Sequence, residues 1–287
     1  NTVDEIPARQ QAIWELASLM GWRQEFTATA RLIAIPISEG DLAKWMSDYK
    51  PFLPVWVKFL PPAFSILSLA TGLLVVLGVL PPGLLVGVFF TGLLITLPYA
   101  KKIGHLSGMT GKMQEVFRQY GRLVSLVEGN SFKAGKLEDL KASLSRKEVP
   151  VSEILRSLNS RISALDQRNN LLVAVLGNAF FLWDLRQAYA LEDWMASHGA
   201  QAPNWFGALS GFDALNSLGN FAFNHPRYVF PDIQEKGETA LKVEQLAHPL
   251  LFGPVVRNDV RIESGHFLVI TGANMAGKST FLRAVSL

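Results

Sequence analysis

Residues 266–287 read HFLVITGANMAGKSTFLRAVSL, and their pattern predicts the structure of the last part of the chain. An apolar run at residues 267–270 predicts a buried parallel strand, and the residues after the glycines predict an amphipathic helix. A strand, a glycine-containing loop and a helix in this order predict a phosphate-binding P-loop. The fixed positions of the motif G-x-x-x-x-G-K-[ST] are Gly272, Gly277, Lys278 and Ser279.

The residue types of this motif suit a nucleoside triphosphate with magnesium. Backbone N–H groups that converge on phosphate need positions without an obstructing Cβ, which Gly272 and Gly277 provide, and the start of the helix adds its positive end. Lys278 can reach the β- and γ-phosphates, and the Ser279 hydroxyl can complete the coordination of magnesium. We therefore predict that ATP and Mg²⁺ bind here, with Thr280 as a neighbouring helper.

The acids that would complete an ATPase are not found in this sequence. Residues 180–184, FFLWD, resemble a Walker B strand, in which an apolar run ends in Asp. They precede the P-loop and continue into a helical pattern, so we interpret them as structural. The chain starts at Asn1 rather than Met and stops at Leu287, within the predicted helix. We expect a piece of a longer ATPase that alone binds nucleotide weakly or not at all and does not hydrolyse it.

The composition narrows the possible classes of protein. Charged residues make up 18% of the chain and hydrophobic ones 49%, which indicates an unusually apolar segment. The net charge of +3 is too small for a dedicated nucleic-acid-binding surface. The absence of cysteine excludes disulfides and thiolate chemistry, and the histidines never stand three or four residues apart, so we expect no zinc site.

The apolar segment predicts a helical hairpin that spans a membrane. No charged residue lies between Lys58 and Lys101, and a Pro-Pro-Gly turn at residues 81–83 divides the run into residues 63–80 and 83–100. Each half is about 27 Å long as a helix, close to the roughly 30 Å of a bilayer core. Aromatic and basic residues flank both outer ends, which predicts that both flanks lie in the cytoplasm. The alternative is a buried helical hairpin in a soluble core.

The rest of the chain predicts a mainly α fold followed by the first part of an α/β P-loop ATPase domain. Apolar residues recur at helical spacing before the hairpin and after it, and Pro150 stands where a helix would start. Two apolar stripes after the hairpin predict core faces: Met113, Val116, Phe117, Tyr120, Leu123, Val124 and Val127 in the first, and Ile154, Leu155, Leu158, Ile162 and Leu165 in the second. Short runs at residues 241–246 and 260–262 predict strands. The predicted domains are an N-terminal helical segment (1–52), the transmembrane hairpin (53–102), a helical core or lever (103–224) and the start of the ATPase domain (225–287).

The loop can be compared more narrowly with a known family. TGANMAGKST at residues 271–280 resembles the TGPNMGGKST loop of the MutS family of mismatch-repair ATPases, chiefly through its Asn-Met pair. Two alanines replace the family's usual proline and glycine. By resemblance, Val255 and Val256 border the adenine and Ser279 holds the magnesium. The residues that would hold the phosphates are Gly272, Ala273, Asn274, Met275, Ala276, Gly277, Lys278 and Thr280.

Weaker similarities lie upstream. His248-Pro249 and Asn258-Asp259-Val260 look like the family's HP and N-D-I segments, FDALNSL at residues 212–218 is similar to its LDxLxSLA stretch, and Arg9-Gln10 resembles the opening of its helical core. The Phe-x-Glu wedge with which the family reads mismatches is absent from the sequence, and the hairpin occupies the expected place of the DNA-clamping helices.

The resemblance implies a membrane-anchored, MutS-like ATPase in the bacterial inner membrane, with its soluble parts in the cytoplasm. Such a protein would dimerise with a second copy through its ATPase domains and could act on DNA in mismatch repair or a related process. The rival hypothesis is a membrane-tethered DNA-binding or scaffolding module in which nucleotide acts as a switch. A membrane transport ATPase fits less well, because two short uncharged spans offer little pathway.

Overall fold

The computed structural model describes residues 5–33, 39–144, 149–233, 239–251 and 255–286. The chain divides into a helical unit, Pro7–Val229, and a second unit, Phe230–Leu287 with Asn1–Ile6. The α-helices of the helical unit are α1 (Glu5–Ser18), α2 (Met20–Arg31), α3 (Glu39–Ser47), α4 (Leu60–Val76), α5 (Gly83–Thr96), α6 (Ala100–Glu128), α7 (Gly135–Ser143), α8 (Val151–Asp166), α9 (Asn178–Phe181), α10 (Trp183–His198) and α11 (Ala202–Asn224). The second unit contains β1 (Thr239–Leu246), β2 (Asn258–Glu263) and α12 (Lys278–Ser286).

The centre of the helical unit is the pair α6 and α8, which pack along each other. Their predicted apolar stripes are confirmed as core faces: Phe117 in α6 and Leu158 and Ile162 in α8 are fully buried. Burial of each such side chain stabilises the fold by roughly 1.5–3 kcal/mol. Pro150 lies directly before α8, as predicted, because its fixed φ suits the start of a helix.

An aromatic cluster joins three parts of the helical unit. Trp22 of α2 stacks on Phe26, with ring centroids 5.1 Å apart, and meets Phe132 edge-on at 5.4 Å. Phe212 of α11 lies 5.3 Å from Phe132 and 6.0 Å from Trp22. The Trp22 indole N–H donates to the Leu126 carbonyl at 3.1 Å, so the ring is fixed by a polar contact as well as by packing.

A buried carboxylate holds the chain just before the apolar hairpin. Glu192 of α10 is 2% exposed. Its carboxylate accepts hydrogen bonds from the Tyr49 hydroxyl at 2.9 Å, the Phe52 N–H at 2.9 Å and the Leu53 N–H at 3.0 Å. Because these bonds satisfy both oxygens, the charge can be buried without an opposite charge, and the entry segment is fixed to α10.

The hairpin consists of α4, α5 and the turn between them. The continuous helical stretches that contain them, Val55–Val76 and Gly83–Glu128, are long and apolar enough to cross a membrane. Most of their side chains face outward, including Leu69 at 61% and Val76 at 84% exposure. The first helix ends at Val76, four residues earlier than the predicted Leu80, because Gly78 adopts φ +74° and closes a Schellman motif. In this motif the Gly78 N–H donates to the Val75 carbonyl, and the Val79 N–H donates to the Leu74 carbonyl.

The second half of the hairpin continues into the helical core. A short 3₁₀ turn, Leu97–Tyr99, follows α5 and leads directly into α6. Pro98 lies in this turn and has no N–H to donate, which explains the local change of helix type. The hairpin and the core are therefore built on one nearly continuous helical path.

A third apolar segment, residues 171–182, packs against the hairpin. It is helical from 171 to 181, with a π-helical turn at Val173–Gly177, and ends where Leu182 adopts the left-handed conformation with φ 49°. Phe180 and Phe181 of the FFLWD stretch belong to α9, and Trp183 and Asp184 begin α10, so the stretch is not a Walker B strand, as predicted.

The second unit contains a two-stranded antiparallel sheet, in which Val243 pairs with Val260. Both strands were predicted, but the parallel strand expected at residues 267–270 does not form. A strand needs a ladder partner, and within the described residues neither β1 nor β2 pairs with this run, whose Phe267 is 92% exposed. The mainly helical fold is confirmed, and the α/β ATPase domain stays a prediction.

Candidate phosphate-binding site

The candidate site is the glycine loop, which we define as residues 271–277, between an extended run and α12. After β2 the chain turns at Gly265, where φ is +79°, and runs without regular structure to Thr271. A turn at Asn274 and Met275 then leads into α12, which begins at Lys278. The Gly277 carbonyl accepts the first helical hydrogen bond, from the Phe281 N–H at 2.9 Å.

The conformation of this loop explains its two fixed glycines. Gly272 has φ +152° and Gly277 has φ +81°, both in regions that residues with a Cβ rarely adopt. No atom lies within 4 Å of a Cβ built on Gly277. Glycine is therefore favoured at this position because of the backbone conformation, and not because a side chain would lack space. Met275 also has a positive φ, +65°, which is uncommon for a residue other than glycine. Its side chain is fully exposed.

Lys278 folds back over the glycine loop. Its ammonium group donates to the Gly272 carbonyl at 2.5 Å and to the Ala273 carbonyl at 2.6 Å. The positive charge is thereby held beside the start of α12, whose first N–H groups have no partner within the helix. A fixed ammonium next to a helix N-terminus is an arrangement that attracts an anion.

An open cleft with a volume of about 1100 Å³ adjoins the loop and brings together several predicted residues from distant parts of the sequence. Val255 and Val256, predicted to border adenine, line it together with part of the loop and of α12. The predicted residues that line the cleft are Val255, Val256, Met275, Ala276, Gly277, Lys278 and Thr280. The remaining ones, Gly272, Ala273, Asn274 and Ser279, belong to the same loop and helix but are not part of this lining.

The prediction of magnesium rests on Ser279 alone. Its side chain is exposed in the first turn of α12, next to Lys278. Within the part of the chain that the structure describes, no three histidine or acidic side chains are grouped as metal ligands. The residues present therefore fit a cation that is held mainly by phosphate oxygens and water, as magnesium is in nucleotide sites.

The cleft also contains residues that the sequence did not assign to the site. Leu246, Leu251 and Phe281 line it with apolar surface, and Arg261 of β2 adds a second basic side chain. Phe281 was identifiable as an apolar position of the helix, although only as a packing residue. The placement of Leu246 and Arg261 depends on the antiparallel pairing of β1 and β2, which no local sequence motif reveals.

Some of the upstream residues quoted for the family resemblance line the same cleft. His248, Asn258 and Asp259 all line it. The Asp259 carboxylate accepts a hydrogen bond from the Gln245 N–H at 2.8 Å, and Gln245 itself has a positive φ of +55°. Asp259 therefore stabilises an irregular point of β1, where the pairing register shifts.

Comparison with known proteins finds partial similarity to mismatch-repair proteins. The chain is 33% identical over 141 residues to the DNA mismatch repair protein msh3 of Emericella nidulans. The matched region covers 47% of this chain and 11% of that protein. It is 41% identical over 86 residues to the DNA mismatch repair protein MutS of Chloroflexus aurantiacus, covering 28% of this chain and 9% of that protein. The msh3 protein of Aspergillus terreus is 38% identical over 86 residues, covering 28% of this chain and 7% of that protein.

These matches span about a tenth of the length of the relatives. No protein-family model matches the chain. No solved structure matches it either.

Proposed function

We propose that this chain is a membrane-anchored, MutS-like nucleotide-binding protein that acts in DNA mismatch repair or a related DNA process. The observation that carries the proposal is the glycine loop, in which two glycines with positive φ and the folded-back Lys278 stand at the start of α12. The partial similarity to proteins named for DNA mismatch repair supports the same conclusion.

In this proposal ATP binds along the cleft, with its phosphates at the glycine loop. The phosphates would be held by the backbone of the loop and by Lys278, and Ser279 would contact a bound magnesium ion. Val255 and Val256 would contact the adenine, since they are apolar and line the same cleft as Lys278. The magnesium ion would neutralise phosphate charge, and the chain's own part is to bind and orient the nucleotide.

The membrane anchor is the hairpin. Its outward side chains are mostly apolar along both helices, and no charged residue interrupts them. The hydroxyls of Thr71 and Thr91 donate to the carbonyls of Leu67 and Gly87 in their own helices. The basic residues Lys58, Lys101 and Lys102 gather at its open end, which favours a cytoplasmic position of that end in a bacterial inner membrane. DNA is a proposed partner because the similar proteins are named for DNA mismatch repair. A second copy of the protein is proposed from the resemblance of the glycine loop to that of the MutS family.

Nucleotide binding is tested with the substitution Lys278→Ala. We expect the affinity for a fluorescent ATP analogue, measured by titration with magnesium present, to fall at least about tenfold, because a charge-assisted phosphate contact contributes about 1.5–3 kcal/mol. Lys242→Ala is the matched control, because Lys242 is an exposed lysine on β1 of the same unit. Equal affinities for the Lys278→Ala variant and the unmodified protein would contradict the proposed site.

A further inference from the structure

We propose that residues 171–182 form a third membrane-embedded element, a re-entrant segment in the cytoplasmic leaflet whose outer face contacts lipid acyl chains. This inference deepens the proposed membrane anchor and rests on it. The partner is the hydrocarbon of the bilayer, and the argument depends on where the segment touches the hairpin, on its exposed face and on its two ends.

The segment is in direct backbone contact with α5. A Cβ built on Gly92 would lie 2.2 Å from the Ala179 carbonyl oxygen and 2.7 Å from that of Asn178, so only glycine permits this approach. The rings of Phe89 and Phe180 meet edge-on with centroids 5.9 Å apart. Close packing at a small residue is typical of helices that associate in a membrane.

The position of this contact along the hairpin fixes the depth of the segment. Residues 83–100 are about 27 Å long as a helix, so nearly all of them are needed to cross a core of roughly 30 Å. Gly92 lies near the middle of this run. If the hairpin spans the bilayer, the residues packed on Gly92 must therefore lie inside the hydrocarbon.

The face of the segment that points away from the hairpin has the composition of a lipid contact. Leu171 is 77% exposed, Leu172 68% and Leu176 46%. No charged residue occurs between Arg168 and Asp184. These leucines lie up to two helical turns before α9, the part of the segment that packs against both α4 and α5.

The two ends of the segment return to the same side. Arg168 and Asp184 form an ion pair, with guanidinium nitrogen and carboxylate oxygen 3.1 Å apart. A helix over residues 171–181 is about 17 Å long, roughly half of the hydrocarbon thickness. The segment can thus enter one leaflet and return, but it cannot cross.

The irregular backbone of the segment is satisfied internally, as a bilayer requires. The Asn178 side chain donates to the Ala174 carbonyl at 2.8 Å and accepts from the Asp184 N–H at 2.9 Å. Leu182, the left-handed residue, is fully buried in protein and donates its N–H to the Asn178 carbonyl at 3.3 Å. Non-helical backbone at membrane depth is tolerated when protein covers it.

The chain contains no cysteine, so single cysteines can be introduced for spin labelling. We would label Leu172→Cys and Leu176→Cys in the full chain, reconstituted in vesicles of phosphatidylcholine and phosphatidylglycerol, and measure collisions with oxygen and with a water-soluble nickel chelate. Leu69→Cys in α4 is the reference for the bilayer, and Ala142→Cys, at an exposed position of α7, is the reference for water.

We expect labels at positions 172 and 176 to resemble position 69, with high oxygen accessibility and nickel accessibility several-fold below that of position 142. If they match position 142 while position 69 is shielded from nickel, the re-entrant segment is disproved and the hairpin anchor stands. If position 69 is itself open to nickel, the anchor fails and this inference with it. Spin–spin broadening at positions 172 and 176 would show that a second copy covers this face, which also overturns the proposal.

Discussion

Two carboxylates, the buried Glu192 and the half-buried Glu15, accept hydrogen bonds mainly from backbone N–H groups. Glu192 accepts from the N–H groups of Phe52 and Leu53, and Glu15 of α1 accepts from those of Lys133 and Ala134 at 2.7 and 2.6 Å. In both cases a carboxylate on one helix fixes a loop that is distant in sequence. Single residues thus determine how the loops attach to the core.

Replacement of Glu192 by glutamine is expected to destabilise the helical unit by about 2 kcal/mol. The amide NH₂ group of glutamine would face a donor, because Glu192 accepts from three donors at present. The free energy of unfolding can be measured by circular dichroism in detergent with increasing denaturant. Asp193→Asn is the matched control, since Asp193 is the exposed neighbour on the same helix, and an equal loss in both variants would contradict this role of Glu192.

Tyr49 provides a prediction for the dependence of stability on pH. Burial raises the pKa of Tyr49, and its hydrogen bond to the Glu192 carboxylate raises the pKa further. Because the folded-state pKa lies above that of the unfolded chain, the stability contributed by this group is fully present below about pH 10 and is lost as pH rises above that value.

We therefore expect Tyr49→Phe to be less stable than the unmodified protein at pH 8, and the difference in unfolding free energy to shrink above about pH 10. Denaturant titrations at several pH values would measure it. In a Glu192→Gln background the effect of Tyr49→Phe should be smaller, because the acceptor has changed. A difference that stays constant up to pH 11 would contradict the assignment.

At the scale of elements, the glycines of α5 have different roles although they share one helix. Gly92 is in contact with the Ala179 carbonyl, whereas a Cβ built on Gly87 would meet no atom within 4 Å. The first is needed for the docking of residues 171–182. The second faces open space, so its replacement tests helix propensity alone.

Gly92→Ala is expected to weaken this docking and to lower the stability of the helical unit by about 1–3 kcal/mol, because the added Cβ would overlap a backbone oxygen. Gly87→Ala should be neutral or stabilising by up to about 1 kcal/mol, since alanine is the better helix former. Thermal unfolding in detergent micelles would compare the two. Equal effects would show that the close approach at Gly92 does not contribute to stability.

At the scale of the whole molecule, local periodicity predicted the core of the helical unit and the two strands of the second unit. The stripes of α6 and α8, the helix start after Pro150 and the strands β1 and β2 all agree with the sequence pattern. These features depend on local spacing, which a single sequence displays directly.

Features that depend on distant contacts could not be predicted. The apolar run at residues 267–270 resembles a strand, but strand formation depends on a partner and not on the run itself. Residues 171–182 are too short for a membrane span, so only their packing on the hairpin distinguishes them from a core helix. The cleft beside the glycine loop likewise arises from the pairing of β1 with β2.

The proposed anchor predicts how the whole protein behaves on cell fractionation. We expect it to stay in the membrane pellet after washing with high salt and alkaline carbonate, which release proteins bound only by charge. Leu69→Arg should reduce this retention, because arginine at the centre of a span costs about 2.5–3.5 kcal/mol, whereas Leu69→Ala should not. Release of the unmodified protein by carbonate would contradict the anchor.

The Schellman motif at Gly78 has a consequence for biogenesis. The tip of the hairpin between α4 and α5 carries no charge, and the backbone bonds of Gly78 and Val79 close the end of α4. Insertion would therefore move no charged or polar loop across the bilayer. The free-energy barrier that the translocation of such a loop imposes would be largely absent. We therefore expect the proposed anchor to enter the bilayer from one side without the transfer of a polar segment across it.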